Sequence, residues 1–439
     1  MAHPPLSAEQ RRWFDAAAAL IDEARLCDLI LKLTAIHSPT GAERAASQFM
    51  ADELGRVGLV AHYQPLDEDS GNAIGVLKGA GGGPSLLLYA PIDTHLEADE
   101  AEDVPWVGPA LRPDMQPVSR IEDGLVIGLG AANPKAMVAT MAEAARVIGA
   151  AKVPLQGDLI VAFAGGGMPV NAAKRRNHGL GSGVFHLLTR GVAADFAIVM
   201  KGGNGVYYEE PGLCWFKVTV KGTMNYAGMA QDAPGVRSSI LPAARFIQAI
   251  EAWLLDYAAR SKGGQVAPQG WVSAVRAGWP EKPAFPSAAT EIYLDIRCHP
   301  QSSPARLKAA FADAVAAITA RDGALDLDWE MIAAYPGART DPDDWIIRSS
   351  IRAWEEVEGR PHAIPRLMGG QTDISTIRNL GIPTARTGWN YPPERAPEAY
   401  KTGIGGMGVV DVKDIVPTCK KIVYSAIDTL TRARAEVGL

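Results

Sequence analysis

At 439 residues the chain is too long for one ordinary domain and suits two. A composition of 47% hydrophobic and 21% charged residues is that of a soluble globular protein, and a net charge of −6 argues against nucleic acid or an anionic membrane as partner. Four widely separated cysteines (Cys27, Cys214, Cys298, Cys419) with no Cys-x-x-Cys pair exclude a disulfide framework and a zinc ribbon.

The N-terminal stretch MAHPPLSAEQRRWFDAAAAL carries charges where a signal peptide needs its apolar core. No run of about 18 apolar residues follows, so the expectation is a cytoplasmic protein that does not span a membrane. From Leu6 to Val60 apolar residues recur at helical spacing. Thr40 followed by Glu43 reads as a capping box for a helix in this region. NAIGVLKG and GGGPSLLLYAPID then read as strands, and GLVIGLGAANPKAMVATMAEAARVIGAA as strand, turn and helix. Asn133 is placed to cap that helix, with Pro134 in its first turn. GDLIVAFAG and DFAIVMKGG are further strands on either side of a helix, GSGVFHLLTRG. Strands alternating with helices predict an α/β layered domain.

Residues 213–331 form a unit of their own. LCWFKVTVKG, the long helix SSILPAARFIQAIEAWLLDYAAR, GWVSAVRAG, ATEIYLDIRCHP, the helix SPARLKAAFADAVAAITARDG and LDLDWEMIAAY follow one another as βαββαβ, the ferredoxin-like split arrangement. α/β patterning resumes afterwards and ends in a C-terminal helix. The expected organisation is thus a discontinuous α/β domain, 1–212 and 332–439, with an inserted domain, 213–331.

The glycine-rich pieces match neither GxGxxG before a helix nor GxxxxGK[ST], and Gly-x-Ser-x-Gly does not occur. In the acidic stretch IDTHLEADEAED, an extended backbone puts Asp93, His95 and Glu97 on one face. That offers a possible metal site, against the plainer reading of a solvated acidic loop. His62, His178, His186, His299 and His362 read as ordinary structural histidines.

Four motifs fall in order around the inserted unit: HSPTGAE, DGLVIGLGAANPKA, LDIRCHP and GGQTDISTIRNLGIPTARTG. Together they resemble the dinuclear-zinc amidohydrolase and metallopeptidase family of acetylornithine deacetylase, succinyl-diaminopimelate desuccinylase, aminoacylase and carboxypeptidase G. The resemblance covers nearly the whole chain. It implies a catalytic α/β domain with a mixed sheet and an inserted lid and dimerisation domain, in a hydrolase of carbon–nitrogen bonds.

At the positions that the resemblance gives to metal ligands, other residues stand. The His-x-Asp motif reads Pro91-Ile92-Asp93, and the bridging aspartate falls on Asn133. The paired glutamates fall on two of Gly165, Gly166 and Gly167, the next acid near Lys201, and the late histidine around Ile404. None of these offers what a hydrolytic zinc needs, three or four N, O or S donors and a base for its water. The expectation is a cleft with no metal and no cofactor. The candidate catalytic residues are Asp93, Lys135, Lys201, Tyr226 and Asp373, and the candidate substrate-binding residues Asn133, Arg297 and Thr372. Lys201 is expected to stand in the old metal volume, near Asp93 or Asp373. Tyr226 stands where the family's lid donates a hydrogen bond across a homodimer; a buried core tyrosine is the alternative. The implied function is metal-independent action on a small amide-like or carboxylate-bearing substrate. The alternatives are a non-catalytic binding or scaffold protein, and a hydrolase with a relocated metal site.

Overall fold

The computed structural model describes residues 4–170, 175–176, 179–232, 235–364, 367–401 and 407–439. Two compact units emerge: Met1–Tyr208 with Thr340–Arg366 and Thr372–Leu439, and Glu209–Arg339 with Leu367–Gln371. Their limits differ slightly from the sequence expectation, for a reason of pairing. Glu209–Glu210 forms a two-stranded ladder with Ala338–Arg339, which draws both flanks into the second unit. Met368 joins it by exchanging backbone hydrogen bonds with Gln265 and Ala267.

In the first unit the N-terminal helical pattern is broken into separate helices. Ala8–Ala18 starts at Ser7 in a capping box with Gln10, and Glu23–Ala35 starts at Asp22, whose carboxylate accepts the Arg25 N–H. A third helix spans Arg44–Arg56. Six strands form a mixed sheet in the order Val60–Pro65, Gly71–Leu77, Leu159–Ala164, Leu86–Pro91, Phe196–Met200, Thr384–Thr387. The last four run parallel, and the first two pair antiparallel.

Leu86–Pro91 is buried throughout, which its unbroken apolar run requires of a central parallel strand. Leu86 and Leu88 face a core that includes Met137 and Ile148 of the helix Ala136–Ala150 and Ile422 and Ile427 of the helix Val412–Leu430. Leu87 and Tyr89 face the opposite core, with Val184 and Ile377. Both faces of the sheet are therefore covered, and polar chemistry is left to the strand ends.

The second unit is a four-stranded antiparallel sheet, ordered Gly270–Ala277, Ala289–Cys298, Gly212–Lys221, Leu327–Tyr335. Helices Ile240–Arg260 and Pro304–Arg321 complete the βαββαβ order. Along Gly212–Lys221 burial alternates, and Phe216 stacks on Phe311 at 4.2 Å. No described helix is long and apolar enough to cross a membrane.

Candidate functional site

Five chain segments converge where the parallel strands end, the usual place for ligands in open α/β sheets. Leu86–Pro91 leads to Asp93, Leu159–Ala164 to Gly165–Gly167, and Phe196–Met200 to Lys201. Asp373 stands at the start of the short helix Ile374–Asn379. Asn133 and Lys135 lie in a tight turn, Ala131–Lys135, that leads into the helix Ala136–Ala150.

Asp93 is fully buried. One carboxylate oxygen accepts from the Thr40 hydroxyl at 2.7 Å and the Met168 N–H at 2.9 Å, the other from the Gly167 N–H at 3.0 Å. This overturns the expected capping box. Thr40 spends its hydroxyl on Asp93, and the Glu43 carboxylate accepts the N–H groups of Gly41 at 2.7 Å and Gly166 at 2.8 Å. The helix that follows begins at Arg44 with no side-chain cap. Asp373, also buried, accepts a short hydrogen bond from the Tyr89 hydroxyl.

Glu43, Asp93 and Lys135 make a buried charged group beneath this surface. Burial and then the charge of Asp93 push the Glu43 carboxyl up to about 7, against hydrogen bonds from Ser70, Gly41 and Gly166. Burial pulls Lys135 down to about 8, while the charges of Asp93 and Glu43 hold it up. Its ammonium donates to the Ser38 hydroxyl and, at 3.2 Å, to the Ile92 carbonyl.

Asn133 does not cap the helix as expected. Its amide nitrogen donates to the Tyr391 hydroxyl at 3.1 Å, and its oxygen faces the buried Lys201 ammonium at 3.5 Å. The structure thus joins Lys201 to Asn133, whereas Asp93 takes its hydrogen bonds from Thr40, Gly167 and Met168. His95 stands near the same ammonium. Burial and then the charge of Lys201 bring its imidazole down to about 4.

The proposed grouping of Asp93, His95 and Glu97 does not form. Glu97 is ion-paired with Arg175, Asp93 is occupied as described, and the described residues contain no group of three or more His, Cys, Asp or Glu poised for a metal. Nor is the acidic stretch entirely loop: Asp99 caps a helix, Glu100–Val107. Thr372 is buried and its hydroxyl accepts the Ile374 N–H at 3.4 Å.

In the second unit, Arg297 forks onto Asp295 of its own strand at 2.8 and 2.7 Å. Tyr226 is 50% exposed beside Phe285, so it is not a core tyrosine. His362 accepts the Val206 N–H and meets Trp354 edge-on, a structural role as expected. Ile404 and His178 lie outside the described residues.

Glu43, Tyr89, Tyr391 and Ser38 were not singled out from the sequence as site residues. The glycines of AGGG explain part of the packing. A Cβ on Gly165 would lie 2.8 Å from Glu43 Cδ and 3.0 Å from Ser70 Oγ. One on Gly167 would lie 2.6 Å from Pro91 Cβ and 2.7 Å from an Asp373 carboxylate oxygen. Neither position has room for a side chain without displacing these groups.

A scan for known protein families returns no match. Over 121 residues the chain is 31% identical to a putative LysW-lysine/LysW-ornithine hydrolase of Thermococcus kodakarensis, a match spanning 28% of this chain and 28% of that protein. Likeness in structure is broader. The aminopeptidase PepT of Bacillus cereus superposes with a TM-score of 0.65 at 19% identity, over 94% of this chain and 100% of that one. An M20 family metallo-carboxypeptidase of Sulfolobus solfataricus superposes with a TM-score of 0.64 at 14% identity, over 92% and 98%. The chain thus carries the fold of the M20 metallopeptidase family, the fold that its four sequence motifs imply.

Proposed function

We propose that the chain is a metal-independent hydrolase of a carbon–nitrogen bond in a small amide-like or carboxylate-bearing substrate. The observation that favours this reading is the buried Lys201 ammonium beside Asn133, at positions that the resemblance gives to metal-binding carboxylates. A dinuclear zinc centre does not fit these residues. Proline, glycine and a protonated lysine offer a dication no side-chain donor, and the asparagine is neutral. The packing around Gly165 and Gly167 agrees, since Glu43, Pro91 and Asp373 occupy the space that longer side chains would need. The names of the similar proteins, a hydrolase, an aminopeptidase and a carboxypeptidase, support chemistry at a carbon–nitrogen bond.

In this reading Lys201 supplies fixed positive charge in a low-dielectric site and polarises the substrate carbonyl. Asn133 holds the ammonium, and Tyr391 holds Asn133. Asp93 is a positioning residue that ties the Gly167–Met168 backbone to Thr40. An ammonium does not generate hydroxide as zinc does, so activated or cyclic amides should turn over faster than simple ones.

Hydrolysis of a panel of N-acyl amino acids, small peptides and cyclic amides tests this. Lys201→Met should lower kcat/KM on the best substrate by about 100-fold, the effect of losing a preorganised charge. The melting temperature of the variant is measured alongside, so that the loss is read on folded protein. Undiminished activity in Lys201→Met would contradict this role for Lys201, and no turnover of any member of the panel by the wild type would favour the scaffold reading.

The second unit supports assembly as a two-fold homodimer. Gly270–Ala277 is an edge strand with Trp271 64% and Val275 49% exposed, and Leu255 of the helix Ile240–Arg260 is 69% exposed. Unpaired edges of this kind pair readily with a second copy. Light scattering at micromolar concentration should give twice the chain mass; the mass of one chain would contradict the dimer.

A further inference from the structure

In the first unit a cavity of about 520 Å³ opens beside the C-terminal helix. Asp414, Thr418 and Lys421 line it from successive turns on one face of Val412–Leu430. Glu358, which ends the helix Trp345–Glu358, and Trp389, two positions beyond the strand Thr384–Thr387, line it from elsewhere in the same unit. The lining includes neither Lys201 nor Asn133.

These walls hold unspent groups of both signs. Lys421 is buried, and its ammonium donates to Glu358 at 2.6 Å and to Asn204 at 3.0 Å. An ammonium has three donors, so one is left over. The ring of Trp354 approaches it only at 5.8 Å, the outer limit of a cation–π contact. The indole N–H of Trp389 is buried and has no acceptor among the described residues. Such groups are seldom left without a partner. Asp414 is half-buried, and its carboxylate accepts no hydrogen bond and joins no ion pair among the described residues. Lys413 and Lys421 act on it only at longer range, because Lys413 pairs with Asp411 at 3.2 Å and Lys421 with Glu358.

We propose that this cavity binds a free α-amino acid with an apolar side chain, its carboxylate taking the spare donors of Lys421 and Trp389 and its ammonium the carboxylate of Asp414. The inference goes beyond the hydrolase reading and does not depend on it. Asp414 and Lys421 are two helical turns apart, about 10 Å along the axis. A hydrogen bond of about 2.8 Å at each end leaves room between them for an ammonium and a carboxylate carried on one carbon. Val357, Pro393 and Pro417 offer apolar lining for the side chain. An anion alone leaves Asp414 unanswered, and a cation alone leaves both donors unspent.

The test uses the full chain and three probes: L-leucine, the cation leucinamide and the anion N-acetylleucine. Calorimetry reads binding, and nitrogen-15 NMR of the tryptophan indoles reads its place, with Trp389 assigned by its absence from Trp389→Phe. Titrating the Trp389 signal gives the affinity of this cavity alone, so that a probe held elsewhere is not counted. Leucine should move that signal and bind at least about tenfold more tightly than either single-charge analogue. Asp414→Asn should weaken leucine at least about tenfold and leave N-acetylleucine unchanged. Lys421→Met should weaken leucine likewise and leave leucinamide unchanged. No binding of leucine, equal binding of the three probes, or a Trp389 signal unmoved by bound leucine would each overturn the proposal. Should Lys421→Met fail to fold, Asp414→Asn, which breaks no hydrogen bond or ion pair of that side chain, decides.

Discussion

Replacing Glu43 by Gln is expected to remove a pH-dependent loss of stability on the order of 3 kcal/mol between pH 4.5 and 7. Glu43 is buried, and its carboxyl is raised from 4.5 to about 7, first by burial and then by the charge of Asp93. In that window the folded chain keeps a proton that the unfolded chain has released. Stability from this group is therefore full below pH 4.5 and is lost as pH rises through about 7. Glutamine does not titrate, and its carbonyl can still accept from Gly41 and Gly166, the two N–H groups that Glu43 now holds. Lys135 acts in a different window. Lowered to about 8, it contributes stability above pH 10.5 that is lost as pH falls through about 8. Urea unfolding of wild type and Glu43→Gln at pH 4.5 and 7.5 measures the effect. The gap between them should shift in favour of the variant at the higher pH; parallel pH dependence would contradict the assignment.

The same residue shows why some of the site was legible in the sequence and some was not. Periodicity revealed the buried strand LLLYAP and the alternating strand LCWFKVTVKG, because each pattern depends on local burial. The βαββαβ order was readable for the same reason. Thr40 and Glu43 have capping-box spacing, but the long-range demand of buried Asp93 and of the Gly166 N–H outweighs a local cap. Asn133 likewise leaves the helix start for Tyr391, 258 positions away. Local signals carry no information about such partners. The edge strand Val60–Pro65 has no fully buried residue and little apolar alternation to mark it. The helix Glu100–Val107 is hidden by its acidic composition and an internal proline, Pro105. The helical pattern from Leu6 does not mark where one helix ends and the next begins, which the caps Ser7 and Asp22 decide.

The proposed replacement of metal by a fixed lysine charge stands or falls on metal content measured together with activity. The proposal rests on Lys201 beside Asn133 and on glycines hemmed in by Glu43, Pro91 and Asp373, with no group of three or more His, Cys, Asp or Glu poised for a metal among the described residues. Protein purified without chelator should hold far less than one zinc, manganese or cobalt per chain by elemental analysis. Its turnover of the best amide substrate should be unchanged by prolonged dialysis against a strong chelator. Stoichiometric metal whose removal abolishes activity, and whose return restores it, would contradict the account.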